Sequence, residues 1–175
     1  MDPVLQEFQQ KYRAWVEDSL EEYKAHKMDR IVRTYPFVSY PDVPWAPYLG
    51  EAQDHKFALV CSGGLYLKDS QSAFDTQSIH GDASFRELPK TVRQEDVDIA
   101  HAHYDHSLAE EDLNTIFPLQ RFAELEGEGV IGGLADTNYS FSYVNDVVPL
   151  VEKSLPLLVE KLRQEEVTAL FAVPV

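Results

Sequence analysis

Four short apolar runs, separated by stretches of helical pattern, constrain the fold of this chain more than any other feature. The clearest run is 56–61, Lys-Phe-Ala-Leu-Val-Cys. Because its polar and apolar residues do not alternate, it is typical of a strand buried on both faces of a parallel sheet. Shorter or similar runs lie at 96–100, 130–134 and 167–173. Strands that alternate with helices predict an α/β fold with a three-layer, mostly parallel sheet and helices on both faces.

The sequence predicts an amphipathic helix before this sheet, over residues 3 to about 26. Its apolar residues recur at steps of three and four, which makes one stripe on a helix. They are Val4, Leu5, Phe8, Tyr12, Trp15, Val16, Leu20 and Tyr23. We expect this stripe to pack on the body of the protein or on a second subunit, and we expect the chain to form a homo-oligomer.

The pattern divides the chain into an N-terminal helical segment, 1–34, and a single α/β domain, 35–175. A length of 175 residues suffices for one full core. Prolines at 36, 41, 44 and 47 predict an extended, irregular connection over 35–48, since each proline removes a main-chain donor. The polar stretch 69–91 predicts a long excursion, and loops of that length are usually functional.

Two further helices are predicted. Ser107 and Glu110 have the spacing of a capping box, so we expect Ser107 to cap a helix that Pro118 interrupts or restarts. Glycines at 127 and 129 are expected to end it. The second helix is predicted over 143–165 despite its two prolines.

Charge and composition exclude several classes of partner. The chain has 30 acidic and 15 basic residues, a net charge of −15, which disfavours binding to nucleic acid or to an anionic membrane surface. No apolar stretch is long enough to span a bilayer, and no secretory signal pattern precedes the first helix. Cys61 is the single cysteine, so an internal disulfide is impossible. We therefore expect a cytoplasmic protein.

The most informative chemistry lies at His101-Ala102-His103-Tyr104-Asp105-His106. This cluster falls where a predicted strand ends and a helix begins, the edge at which α/β sheets bind ligands. His101, His103 and His106 are candidate ligands of a divalent metal, zinc or iron. Alternatively, His103, Asp105 and His106 transfer protons without metal, because a histidine beside a carboxylate titrates near neutrality.

The same string is similar to the metal-binding signature of the metallo-β-lactamase superfamily. Those enzymes need further histidines downstream to complete their metal pair. No histidine follows His106 in this chain, so we reject that assignment.

Two other features are candidate parts of the same pocket. Ser62, Gly63 and Gly64 follow the first buried strand, where glycines allow close approach of a ligand; a tight turn is the alternative. Arg86 is a candidate clamp for a substrate carboxylate, with a salt bridge as the alternative. We expect Cys61 to be a core residue, because its strand is otherwise apolar.

Several stretches resemble the selenoprotein B subunits of glycine, sarcosine and betaine reductases and the related subunit of D-proline reductase. They are Ser62-Gly63-Gly64-Leu65-Tyr66-Leu67-Lys68, Phe74-Asp75, Gly81-Asp82-Ala83-Ser84-Phe85-Arg86, His103-Tyr104-Asp105-His106, Asp112-Leu113-Asn114 with Phe117-Pro118-Leu119, Glu128-Gly129-Val130-Ile131-Gly132 and Tyr139-Ser140-Phe141. Their order and spacing match over residues 44–175. The N-terminal helix contributes little to the resemblance.

The resemblance implies a subunit of an oxidoreductase that binds a small amino acid or amine. It also implies a reductase partner subunit, which would carry a pyruvoyl group that captures the amine. A selenocysteine or cysteine of the B-type subunit would then attack the activated carbon. In shorter family members that residue is expected soon after a strand such as 170–175, where this sequence stops.

Three explanations of that departure stay open. They are a selenocysteine codon read as a stop, a trimmed sequence, and a family member that has lost the thiol chemistry. Two alternatives to the reductase function also stay open: a metal-dependent enzyme that uses the histidine cluster, and a non-catalytic assembly subunit that docks through its N-terminal helix.

Overall fold

The protein has an α/β architecture, with a largely parallel sheet between helices and an N-terminal helix before it. The computed structural model describes residues 2–42 and 45–175. The helices are α1 (Pro3–Lys24), α2 (Met28–Thr34), α3 (Ser107–Glu111), α4 (Leu119–Gly127), α5 (Val147–Pro149) and α6 (Leu155–Gln164). The strands are β1 (Lys56–Cys61), β2 (Leu65–Leu67), β3 (Arg86–Pro89), β4 (Val97–Ile99), β5 (Gly133–Leu134), β6 (Thr137–Ser140) and β7 (Ala169–Val173). The predicted fold class is confirmed.

Strand β1 is the centre of the main sheet. β7 pairs with it in parallel along residues 57–61, while β5 and β6 pair in parallel with its two ends. Since β7 occupies one edge of β1, β5 and β6 share the other edge. β3 lies outside β6 and is antiparallel to it. The predicted strand 96–100 does not join this sheet, because β4 pairs instead with β2 in a separate antiparallel ribbon.

The side chains of β1 face two hydrophobic cores, one on each side of the sheet, and this gives the three layers. Leu59 and Cys61 belong to a core shared with α3 and α4, whereas Val60 points to the other side, against Tyr139 and Leu158 of α6. Successive side chains of a strand point to opposite faces, so one strand serves both cores. Residues 57–61 carry no charged or strongly polar side chain for this reason.

The last strand departs from the prediction. The apolar run 167–173 predicted a strand buried on both faces, but β7 is exposed along most of its length, with Leu170 at 49% and Phe171 at 42% of full exposure. Within the part of the chain that the structure describes, β7 pairs only with β1, so its outer edge is uncovered. The prediction of burial was wrong for these residues.

The N-terminal helix packs on the body of the protein, the first of the two expected arrangements. Asp2 caps α1 by accepting the main-chain N–H of Val4 at 2.7 Å. The apolar stripe of α1 forms a second core with α2, with Ile79 of the excursion and with Val148 of α5. The division at residue 34 stays a prediction.

The connection after α2 has neither helix nor strand over its described residues, 35–42 and 45–48, and it bends at 41–42, which fits the predicted irregular connection; Pro44 lies outside the described residues. None of the helices described is long and apolar enough to cross a membrane.

The helix boundaries are partly as predicted. Ser107 is the first residue of α3 and not its cap, so the capping-box prediction was wrong. Asp105 accepts the main-chain N–H of Ser107 instead, at 2.9 Å. Pro118 does separate α3 from α4, and Gly129 follows α4 with a φ of +71°.

The helix predicted over 143–165 starts four residues later, at Val147, and is a continuous run of α5, a π-helical turn (Leu150–Ser154) and α6. Prolines at 149 and 156 flank that turn. Because proline lacks a main-chain N–H, the regular bonding pattern is broken there, which permits a π-turn.

Asn138 gives a test of the sheet. Its side chain is fully buried, accepts the N–H of Leu59 at 2.8 Å and donates to the carbonyl of Ala135 at 3.2 Å. Asn138→Ala leaves both groups without a partner, so we expect a loss of about 2–3 kcal/mol in the free energy of unfolding, measured with urea. The control is Asp136→Ala, whose side chain is 82% exposed. Equal stability of the two variants would contradict this account.

Candidate functional site

The Ser62-Gly63-Gly64 motif and the histidine cluster lie next to each other in the structure. The histidine loop (residues 100–106) follows β4, and its Ala100 N–H donates to the carbonyl of Gly64 at 2.8 Å. Gly64 N–H in turn donates to the carbonyl of Phe141, just after β6, at 2.7 Å. The histidine loop therefore lies at the carboxyl ends of β1 and β6, the edge where α/β sheets bind ligands.

Only glycine fits at position 64. Its φ is +75°, and a Cβ there would lie 2.4 Å from the carbonyl oxygen of Ala100. Both the left-handed backbone and the close approach exclude a side chain. Gly64 therefore serves to bring two chain segments into contact.

Ser62 and Gly63 are also engaged by the protein itself. The hydroxyl of Ser62 accepts the N–H of Val175 at 2.9 Å, and its N–H donates to the carbonyl of Val173 at 3.2 Å. The carbonyl of Gly63 accepts the hydroxyl of Tyr104 at 2.9 Å. These bonds support the tight-turn alternative for this motif, while its role in substrate binding stays a prediction.

His101 is buried, and its role in the loop is that of an acceptor. Its Nδ1 accepts the main-chain N–H of His103 at 3.2 Å. Its ring packs against Tyr104 and Tyr143, with centroid separations of 4.9 and 5.6 Å. Burial, helped by the nearby His103 and His106, lowers the pKa of His101 to about 4. His101 is therefore neutral at pH 7, as an acceptor requires.

His103 is the most exposed of the three histidines in the loop. Its ring meets Tyr143 edge-on at 4.3 Å and lies 6.5 Å from Tyr23 of α1. Partial burial lowers its pKa below the ordinary value, so His103 is a neutral base at pH 7. Because a neutral imidazole accepts a proton from a donor in contact with it, His103 is chemically suited to proton transfer.

Asp105 and His106 differ in exposure. Asp105 is exposed, and hydrogen bonds from Ser107 keep the pKa of its carboxyl below the ordinary value, so it is an anion at neutral pH. His106 packs against Tyr104 at 4.5 Å, and its Nε2 is buried without a hydrogen-bond partner. A buried nitrogen in that state calls for a water or a ligand.

The arrangement does not fit the predicted zinc or iron site. Among residues 2–42 and 45–175, no group of three or more His, Cys, Asp or Glu side chains is placed to hold a metal ion. His101 has committed Nδ1 to the main chain, and its ring lies 5.9 Å from that of His103 at a steep angle. Metal binding by His101, His103 and His106 stays a prediction without geometric support.

Arg86 holds the excursion together. Its guanidinium donates to the carbonyls of Ser72 and Ala73 at 2.9 and 3.3 Å and to the hydroxyl of Ser84 at 2.8 Å. It also lies 4.1 Å from the centre of the Phe74 ring. These contacts favour a structural role, and the predicted clamp on a substrate carboxylate stays a prediction.

Cys61 is a core residue, as expected. It is buried, and its thiol donates to the hydroxyl of Ser140 at 3.4 Å. Burial raises the pKa of the thiol, which makes it a poor nucleophile.

An apolar cavity of about 760 Å³ lies beside the histidine loop, and sequence reasoning missed most of its walls. Its lining residues are Trp15, Met28, Ile31, Val32, Tyr35, Phe37, Ala102, His103, Tyr104, Asp105, Tyr143, Val144 and Asn145. Tyr143 is fixed from α1, because its hydroxyl lies 2.7 Å from that of Tyr23 and donates to the carbonyl of Ser78 at 2.7 Å. The aromatic content of the stripe on α1 was the available signal.

The close approach at Gly64 gives a graded test. We expect Gly64→Ala to lower the free energy of unfolding by more than about 3 kcal/mol. The backbone strain of a positive φ at alanine and the clash of its Cβ with Ala100 both contribute to this loss. Gly129 shares the positive φ but has open space around it, so Gly129→Ala should cost only about 1–2 kcal/mol. Gly127→Ala, within α4 and without neighbours, should be neutral or slightly stabilising. Chemical unfolding measures all three, and a different order would contradict the proposed constraint.

The lowered pKa of His101 predicts that the stability of the protein depends on pH. Its pKa falls from 6.5 when unfolded to about 4 when folded, so only the unfolded chain gains a proton between these values. The neutral, buried His101 therefore contributes fully to the free energy of unfolding above pH 6.5. This contribution is lost as the pH falls toward 4, and the loss is about 2–3 kcal/mol at pH 4.5.

His101→Asn is the matched variant, since its amide oxygen can accept the same N–H without titrating. We expect the difference in urea stability between pH 7.5 and 4.5 to be smaller in this variant. The same difference in both proteins would show that His101 does not carry the effect.

Comparison with known proteins assigns the family. The sequence profile of glycine/sarcosine/betaine reductase selenoprotein B matches residues 24–174. The D-proline reductase subunit gamma of Acetoanaerobium sticklandii is 30% identical over 130 residues, 74% of this chain and 52% of that protein. The glycine reductase complex component B subunit gamma of Symbiobacterium thermophilum is 33% identical over 108 residues, 61% of this chain and 25% of that protein.

A third relative is the sarcosine reductase complex component B subunit beta of Peptoclostridium acidaminophilum, 30% identical over 58% of this chain and 24% of that protein. The chain thus spans about half of the first relative and about a quarter of the other two. No solved structure matches it significantly. The match over most of its length shows that the chain belongs to the glycine/sarcosine/betaine reductase selenoprotein B family.

Proposed function

We propose that this chain is a B-type subunit of an amine or amino-acid reductase and binds a small amine beside His103, Asp105 and His106. One observation carries the proposal: in a member of this family, the apolar cavity opens beside a neutral imidazole and a carboxylate. A concave, mostly apolar pocket with a few convergent polar groups is the usual form of a small-molecule site.

Each of the three side chains has a role in the proposal. Asp105 carries the negative charge that pairs with an ammonium group. His103, neutral at pH 7, accepts a proton from the bound amine, which makes the amine nucleophilic. His106 does not line the cavity itself, and its buried, unpartnered Nε2 would bind a water behind Tyr104.

The reductive step needs a group from outside the described residues. Cys61 is buried and its thiol pKa is raised, so it cannot serve as the nucleophile. We therefore propose that the chain works with a reductase partner subunit, consistent with the multi-subunit complexes named for its relatives. A homo-oligomer, a cytoplasmic location and a separate role for segment 1–34 remain part of the proposal.

The two alternative functions have less support. A metal-dependent enzyme would need ligands that converge, and the described His, Asp and Glu side chains do not. An assembly subunit would need the stripe of α1 to be free for docking, whereas α1 buries Leu5, Phe8 and Trp15 against its own chain.

Binding measurements on variants test the proposed site. Calorimetry with small amines should give at least about tenfold weaker binding for Asp105→Asn and for the His103→Ala/His106→Ala double variant. The control is His55→Gln, which alters a histidine at the opposite end of β1, bonded to Leu49 and Thr168.

Circular dichroism would verify that each variant folds, and elemental analysis of the same samples would report bound metal. If the double variant binds amines as well as the parent, the site assignment fails. Stoichiometric zinc or iron that the double variant loses would favour the metal-dependent alternative.

A further inference from the structure

The apolar cavity is enclosed by two parts of the chain that are distant in sequence. One wall comes from the N-terminal helices and the residues after them, with Trp15, Tyr35 and Phe37 as its rings. These rings pack on one another, since Tyr35 lies edge-on to Trp15 at 5.2 Å and to Phe37 at 4.9 Å. The other wall is the histidine loop with Tyr143. Most of α1 lies before the residues that match the family profile, 24–174.

The side chains that line this cavity carry charge of one sign. Asp105 is the only Asp, Glu, Lys or Arg among the described residues that line it. Two basic side chains of neighbouring segments are engaged by other groups. Lys24, in the neighbouring cavity beside His103, pairs with Glu21 at 2.8 Å, and Arg86 is held by the carbonyls of the excursion.

These charges indicate which charged group a ligand of the cavity can carry. A bound carboxylate needs Arg, Lys or several N–H donors, because an unpaired buried charge is costly. An ammonium group, in contrast, is stabilised by a carboxylate and by the faces of aromatic rings. The overall charge of −15 further attracts cations.

We propose that the apolar cavity binds a monoamine with an aryl or branched alkyl body and no carboxylate, with its ammonium group at Asp105 and its apolar body against Trp15, Tyr35 and Phe37. This deepens the proposed function and rests on it. It also separates this chain from glycine, sarcosine and D-proline, the carboxylate-bearing compounds in the names of its relatives. Helix α1 then acts as a specificity element, because it supplies Trp15 and fixes Tyr143 through Tyr23.

Three probes with one common apolar body separate the possibilities: 2-phenylethylamine, phenylalanine and 2-phenylethanol. By calorimetry with the full chain at pH 7, we expect the amine to bind at least about tenfold more tightly than either of the others. Phenylalanine lacks a partner for its carboxylate, and the alcohol lacks the positive charge.

Two pairs of variants locate the ligand. Phe37→Ala removes a ring that is 72% exposed, so the fold should tolerate it, and we expect about fivefold weaker binding of the amine. Trp45→Ala is its control, since Trp45 is 86% exposed in the same extended segment but does not line the cavity. Asp105→Asn should abolish the preference for the amine over the alcohol, whereas Asp136→Asn should not.

The outcomes distinguish the two proposals. If phenylalanine binds at least as well as the amine and Asp105→Asn weakens its binding, the monoamine proposal is overturned while the amine-site function stands. If no probe binds, or if binding is indifferent to Asp105, both are overturned. Equal effects of Phe37→Ala and Trp45→Ala would overturn the assignment of the aromatic wall.

Discussion

The contact between Gly64 and Ala100 is the constraint on which the site depends. The main chain of Gly64 accepts from Ala100 and donates to Phe141, and so joins the loops that follow three different strands. Because a Cβ at position 64 would overlap the carbonyl of Ala100, this junction exists only with glycine there. The junction sets where the histidine loop begins, and hence which way His101 and His103 face. A motif that reads as a ligand loop in the sequence is thus the support of the site beside it.

The site also depends on helix α1, which fixes the position of Tyr143 beside His103. Its outer residues are solvated, but Tyr23 reaches the hydroxyl of Tyr143, and both tyrosines meet the carbonyl of Ser78. The ring of Tyr143 then lies against His103 at 4.3 Å. A helix that contributes little to the family resemblance therefore shapes the surroundings of His103, the most exposed histidine of the loop. Differences between family members in this helix would alter the pocket without changing the loop itself.

Sequence reasoning predicted what local pattern determines and missed what depends on long-range pairing. The run 56–61 is apolar on both faces because β1 is central, and it was identified correctly. The run 167–173 has the same pattern, yet β7 is an edge strand, since composition does not reveal how many neighbours a strand has. Strands β2, β3 and β6 are three or four residues long, too short for a periodic signal.

The histidine cluster shows the same limit within the site. Proximity in sequence brought His101, His103 and His106 near one another but did not fix the direction of their rings. His101 turns inward to accept a main-chain N–H, His103 faces the cavity, and His106 buries its Nε2. The partners that decide these directions, such as Tyr143, are distant in sequence and carried no motif of their own.

The protonation states of the site limit the chemistry it can perform. His101 and His103 are neutral at pH 7, the pKa of Tyr143 is raised by burial and by its bond to Tyr23, and the lowered pKa of Asp105 keeps that carboxyl negative. Among the described residues that line the cavity there is no Cys, Lys or Arg, so the lining offers neither a thiolate nor a guanidinium or ammonium group to stabilise a developing negative charge. Cleavage of a carbon–nitrogen bond by reduction requires both a strong nucleophile and electrons. In the proposed function, therefore, the described residues would hold the amine, and the reacting sulfur or selenium would come from outside them.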